Sequence, residues 1–218
     1  MTSYSNAPKT LKAGIVLLDP ESAHVQQIIP LQYNPESLNR SFQVQGVDSA
    51  DGGDRSQALR IKAPAVESMT LEAQIDATDL LETADKDAVA LGIHRELAAL
   101  ESLLNPASDD LLANNQLANS GTLEILPMES SLVLFIWGKK RILPVRLTEL
   151  SVTEEAFDIN LNPIRARVSL GMRVLTVDDL GFEHKGGSLF MNYLQSKEKL
   201  RDKKAASQLN TLGIGSIP

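Results

Sequence analysis

The chain has 218 residues, 43% of them hydrophobic, with a formal net charge of −7, a pI near 5.0 and no cysteine. That length and apolar content suffice for one domain with a proper core and extensions, while the acidity argues against a general phosphate-backbone binder, which needs clustered positive charge. The missing thiols exclude disulfides, thiolate metal sites and cysteine nucleophiles, and no apolar run approaches the ~20 residues of a membrane span.

Residues 1–10 are polar, lack the basic–apolar–small order of a signal peptide, and are expected to be a flexible N-terminus. Leu11 to Leu18 reads as a first strand stopped by Asp19-Pro20, and Ile28 to Tyr33 as a second. Pro30 inside the second strand places it at a sheet edge, because proline donates no ladder hydrogen bond. A turn at Asn34-Pro35-Glu36-Ser37 leads into an alternating third strand, Ser41 to Val47. Asp48 to Gln57 has loop composition. Its carboxylates Asp48, Asp51 and Asp54 are three apart, which is not the spacing of the helix-loop-helix calcium loop.

Glu67 to Ala77 alternates cleanly, with Met69, Leu71, Ala73, Ile75 and Ala77 on the inward face. The period then switches. Val89, Ile93, Leu97, Leu100 and Leu104 are spaced four, four, three and four apart, one stripe of an α-helix. A single helix over 85–104 is expected, with Asp85 as N-cap and Asn105-Pro106 ending it. His94 beside the stripe has no partner in helical reach that suggests a metal site. Residues 105–122 are polar with scattered leucines, and no element is assigned to them.

The most regular stretch runs from Ser131 to Val177. It opens on the apolar run Ser131-Leu-Val-Leu-Phe-Ile-Trp137 and closes on a long strand with Ile164, Ala166, Val168, Leu170, Met172 and Val174 on one face. Arg165, Arg167 and Arg173 fall on the other, since successive side chains of a strand point to opposite faces. Asn162-Pro163 is turn chemistry. With those two as the hairpin loop, counting back puts Asn160 opposite Arg165 and Asp158 opposite Arg167, and Phe157, Ile159 and Leu161 form one face of the preceding arm. Between Leu147 and Leu150 the apolar phase slips by one residue, which predicts a β-bulge near Thr148-Glu149. After Asp178, Gly186-Gly187 reads as a hinge and Ser188 as a helix N-cap. Leu189, Phe190, Tyr193 and Leu194 make a short apolar stripe, too small for a core of its own and so expected to dock on a partner. Lys197 to Lys204 carries five basic and two acidic residues, a solvated helix end.

Enzymatic motifs are missing: no Gly-x-Ser-x-Gly, no phosphate-cradling glycine loop and no His-Glu-x-x-His occurs. The pairs Asp109-Asp110 and Glu154-Glu155 are adjacent, and neighbours on a strand cannot share a substrate. No catalytic residue, cofactor or metal is expected. Three signatures stand together instead: Leu31-Gln-Tyr33-Asn34-Pro35-Glu-Ser37, Leu134-Phe-Ile-Trp137-Gly138, and Phe157-Asp158-Ile-Asn-Leu-Asn162-Pro163-Ile-Arg165-Ala166 with Arg167 following. In order and spacing they resemble the tube-like domain of contractile injection system tube-adaptor proteins, over residues 11–178.

That resemblance implies a mainly β (α+β) fold, a phage tail-tube-like β-sandwich or barrel with one flanking helix, followed by a C-terminal docking arm over 179–218. It implies a hexameric ring that joins the inner tube to the baseplate hub and spike and seeds tube assembly. Partners would be further copies, the inner tube protein and the hub and spike proteins, with no nucleic acid and no membrane span. The expected location is a phage-tail-like particle assembled in the cytoplasm and either released or membrane-anchored. The alternative is a small-ligand or glycan-binding β-domain, which would want exposed aromatics; aromatics are only 4% of the chain.

Overall fold

The computed structural model describes residues 11–19, 22–46, 60–119, 130–202, 214 and 217. The polar segment 1–10, the acidic loop 48–57 and most of the 211–218 tail lie outside the described residues. Seven strands run in chain order: β1 Gly14–Leu18, β2 Val25–Pro30, β3 Leu38–Gly46, β4 Ile61–Asp76, β5 Leu132–Ile136, β6 Ile142–Phe157 and β7 Pro163–Val174. They form one antiparallel sheet in the order β2-β1-β5-β6-β7-β4-β3. The expectation of a mainly β fold with flanking helices holds. The barrel or two-sheet sandwich does not: among the described residues the sheet is single and unclosed, with β2 and β3 at its edges. Pro30 sits on an edge strand, where its missing N–H costs no pairing.

Apolar pattern and burial agree strand by strand. On β4, Met69, Leu71, Ala73 and Ile75 are buried and pair with Met172, Leu170, Val168 and Ala166 of β7. β1 and β5 read as continuous apolar runs because both their faces are covered. Ile15 and Phe135 enter the main core, while Val16, Leu18, Leu132 and Leu134 pack with Leu180 and Leu189 on the other side. The β6 register shifts between Leu147 and Glu149, where the bulge was expected. Gly171 lies opposite, and a Cβ there would come within 3.1 Å of both Glu149 Cβ and Thr148 Oγ1. Glycine on the partner strand makes room for the bulge.

The expected long helix is broken. In its place stand α2 Lys86–Leu91 and α3 His94–Glu101, preceded by a short α1 Thr78–Glu82, and the polar segment beyond carries a fourth, α4 Ser108–Asn119, with no buried residue. Asp85 does cap α2, accepting from the amides of Asp87 and Ala88. The break falls at Gly92, whose φ of +57 is left-handed backbone. The next amide, Ile93 N, donates to Pro163 O at 2.9 Å instead of continuing the helix. A Cβ on Gly92 would lie 2.2 Å from that same carbonyl, so only glycine fits. Ile93, Leu97 and Leu100 are buried, whereas Val89 and Leu104, at the ends of the stripe, are exposed.

Two further helices follow β7: α5 Val177–Leu180 and α6 Lys185–Asp202. Thr176 and Asp179 form a capping box at the start of α5. Gly186 and Gly187 are not a hinge, and Ser188 is not an N-cap; all three lie inside α6. A Cβ on Gly187 would meet Gly181 O at 1.9 Å, so this glycine is there to let the α5–α6 corner close tightly.

Candidate assembly interface

The motif residues are placed first by what they hold. Asn34 clamps the incoming chain: its Oδ1 accepts from Ala13 N at 2.9 Å and its Nδ2 donates to Leu11 O at 2.7 Å. Tyr33 beside it is exposed, and Pro35 is partly buried. Trp137 is half-buried, its ring 5.9 Å from that of Phe135. Gly138 takes a φ of +71 in the β5–β6 turn, which Trp137 N closes by donating to Arg141 O at 2.8 Å.

The β6–β7 connection differs from the expected two-residue turn. Phe157 pairs with Pro163, so the loop is Asp158–Asn162. Arg165 therefore faces Glu155, and Arg167 faces Thr153, in place of the expected Asn160 and Asp158. Asp158 instead organises the loop: its Oδ1 accepts from Asn160 N at 2.7 Å and Asn162 N at 2.8 Å, and its Oδ2 from Asn162 Nδ2 at 2.8 Å. These bonds, the Asn162 side chain first, hold its carboxyl below the usual carboxylate range. Ile159 and Leu161 are not strand residues; they stand out from the loop, 98% and 78% exposed. Ala156 and Leu161 both have positive φ, 56° and 64°.

Arg165 and Arg167 are both paired within the chain. Arg165 Nε donates to Asp76 Oδ2 at 2.7 Å, and Arg167 Nε to Glu155 Oε1 at 2.7 Å. Asp76 is a node. Its carboxylate also accepts from the Thr78 amide and hydroxyl, and its backbone exchanges two bonds with the Gln32 side chain, at 2.8 and 2.7 Å. Burial pushes the Asp76 carboxyl up, but Thr78 and Arg165 outweigh it and hold it below its ordinary value. Sequence reasoning missed Gln32 and Asp76, and it had no signal to find them, since the two lie 44 residues apart and meet only in the folded chain.

A seam lies beside this node. β2, at one sheet edge, and the end of β4 line a common groove of about 430 Å³, with α3 along it. Ile29, Leu31, Ile75 and Leu100 form its walls, and Gln27, Gln74, Arg95 and Glu96 border it.

The stripe expected to dock on a partner packs on its own chain. Phe190 and Tyr193 are buried in the main core, and Leu189 and Leu194 are partly buried against the sheet. A polar latch adds to it. Arg40 Nε donates to the buried Glu67 at 2.7 Å, Lys197 reaches the other carboxylate oxygen at 3.4 Å, and Arg40 Nη2 donates to Tyr193 Oη at 2.7 Å. The Lys197 ammonium also lies 4.0 Å from the centre of the Tyr193 ring. Phe42 and Val44 on β3, and Val25 and Ile28 on β2, remain exposed at the two sheet edges.

What stands out is apolar surface on open edges and on a braced loop, with no cluster of metal-ligating side chains among the described residues. The profile of contractile injection system tube proteins matches residues 10–179. The chain belongs to that family. This tube protein is thus a structural component of a phage-tail-like particle and not an enzyme, and the matched span coincides with the stretch that carries the three signatures. No curated protein matches the chain. Among solved structures it is similar to a chain in the tail of an empty gene transfer agent (GTA) particle refined with C6 symmetry, at 15% identity and a TM-score of 0.31, covering 78% of this chain and 95% of that one. It is also similar to a chain in the virion of a native gene transfer agent particle, at 14% identity and a TM-score of 0.28, with the same coverage. Likeness at that level carries no symmetry over to the tube protein. No helix among its described residues is long and apolar enough to cross a membrane.

Proposed function

We propose that this tube protein forms a hexameric ring joining the inner tube to the baseplate hub and spike, and that the ring seeds tube assembly. The observation that carries this reading is the pair of open sheet edges. Among the described residues β2 and β3 have no strand beyond them, and both carry exposed apolar side chains, with Ile28 63% and Val44 66% exposed. An unpaired apolar edge is a template for another strand. When the two edges of one subunit differ, edge-to-edge contacts run head to tail, and such contacts end in a closed ring if the rotation closes. The number six and the place beside hub and spike come from the resemblance of the three signatures. In this reading Asn34, Asp158 and Asn162 keep the loops at the sheet ends in fixed shape, so that the ring presents constant surfaces to its neighbours.

Native mass spectrometry and negative-stain imaging of the full chain, alone and co-expressed with tube and hub proteins, test it. Six-membered rings, or stoichiometric co-purification with those proteins, are expected. A chain that stays monomeric in both settings and captures neither partner ends this reading. The glycan-binding alternative gains nothing from the seam, because no aromatic ring is among its lining residues for a sugar to stack on.

A further inference from the structure

The seam and the β6–β7 loop are complementary. The seam is concave and walled by aliphatic side chains, and β2 borders it with an edge that no strand among the described residues pairs. The loop offers Ile159 almost entirely and Leu161 mostly to water. It is also braced. Asp158 ties three donors of the loop, Asn162 Nδ2 lies 3.3 Å from Ala90 O, and Pro163 O is held by Ile93 N. Ala156 and Leu161 occupy left-handed backbone without being glycine, a conformation that persists only when the surroundings over-determine it. A loop fixed in advance loses little conformational freedom on docking. Isolated exposed aliphatics are ordinary, but two on a strained and braced tip are the form of an interface anchor.

We propose that the tip of one copy inserts Ile159 and Leu161 into the β2–β4–α3 seam of a neighbouring copy. The occupant is a second copy for two reasons. The tip does not fill the seam of its own chain, where it stands exposed, and a tube protein meets copies of itself at fixed spacing as it assembles. An exposed aliphatic tip and a concave aliphatic seam on one molecule then satisfy each other between molecules, knob on one side and groove on the other. Gln27 and Gln74 on the rim provide donors and acceptors for the backbone of the entering loop. The contact rests on the self-assembly proposed above and adds which surfaces meet.

Because the sequence has no cysteine, every disulfide between chains joins introduced thiols, and each variant oxidised alone reports its like-with-like cross-linking. Full-length Ile159→Cys is mixed with full-length Ala99→Cys, whose side chain lines the seam, under assembling conditions with a mild oxidant. A disulfide-linked dimer is expected in the mixture, roughly tenfold or more above either variant alone. Ile159→Asp should weaken self-association by a similar factor while its circular dichroism melt stays that of the parent, since the side chain touches little else. If Ile159→Asp assembles like the parent and no cross-link forms, the docking is overturned while self-assembly stands. Loss of assembly without the cross-link rules out the seam as the site. A parent chain that never self-associates, alone or with tube and hub proteins, overturns the self-assembly reading and this contact with it.

Discussion

Asp76 concentrates several constraints in one side chain: Thr78 and Arg165 hold its carboxylate, while Gln32 holds its backbone. Its folded pKa lies below the unfolded value of about 3.9, so near that pH the native chain binds fewer protons than the unfolded one. The stability it contributes is therefore fully present above about pH 4 and is lost as pH falls through the folded value. Asp179, where burial raises the carboxyl but Thr176 and Arg173 outweigh it, and Asp158 act in the same direction. Asp76→Asn is expected to cost about 1–3 kcal/mol at neutral pH and to flatten the acid limb of stability; urea unfolding at pH 7 and near pH 3.5 measures both. At Gly92 the constraint is steric. Gly92→Ala must put a Cβ against Pro163 O in left-handed backbone, and a loss of about 2 kcal/mol or more is expected, read as a lowered melting temperature.

At the scale of elements, α6 is part of the fold up to Asp202. Phe190 and Tyr193 enter the main core, and the Glu67 latch ties the helix to the β3–β4 ribbon. Phe190→Ala should lower the unfolding free energy by about 3–5 kcal/mol, seen in the denaturant midpoint of the isolated chain. Unchanged stability with lost particle assembly would return the helix to the role of a docking arm. The β6–β7 hairpin teaches a related point. Its strand β7 alternates as the sequence predicts, because alternation is a property of neighbours along the chain. Its loop is longer than predicted, because Asp158 and Asn162 close a turn of their own and Pro163 gives its carbonyl to Ile93, far away in sequence. The one-helix expectation over 85–104 failed for the same reason: the 3.6-residue stripe was present, but Gly92 and the bond to Pro163 cut it.

At the scale of the whole molecule, the open sheet with apolar edges is the feature on which the proposed self-assembly rests. Val25→Lys on β2 and Val44→Lys on β3 place charge on exposed edge positions, the device by which proteins stop edge-to-edge pairing. Each variant should keep its circular dichroism spectrum yet shift sedimentation toward monomer. Oligomers equal to those of the parent would remove the edges from the contact. The sequence by itself determined the strand faces, the β6 bulge, the edge position of β2, the Asp85 cap and the tube-protein kinship, all of which depend on residue types and spacings along a short stretch. The tertiary structure alone decided that, among the described residues, the sheet stays open, α6 folds back onto it, Arg165 meets Asp76, and a seam and an apolar tip remain uncovered. The reason is physical: side-chain alternation and helical periodicity are set by nearest neighbours, whereas strand order, seam and latch depend on which residues distant in sequence meet.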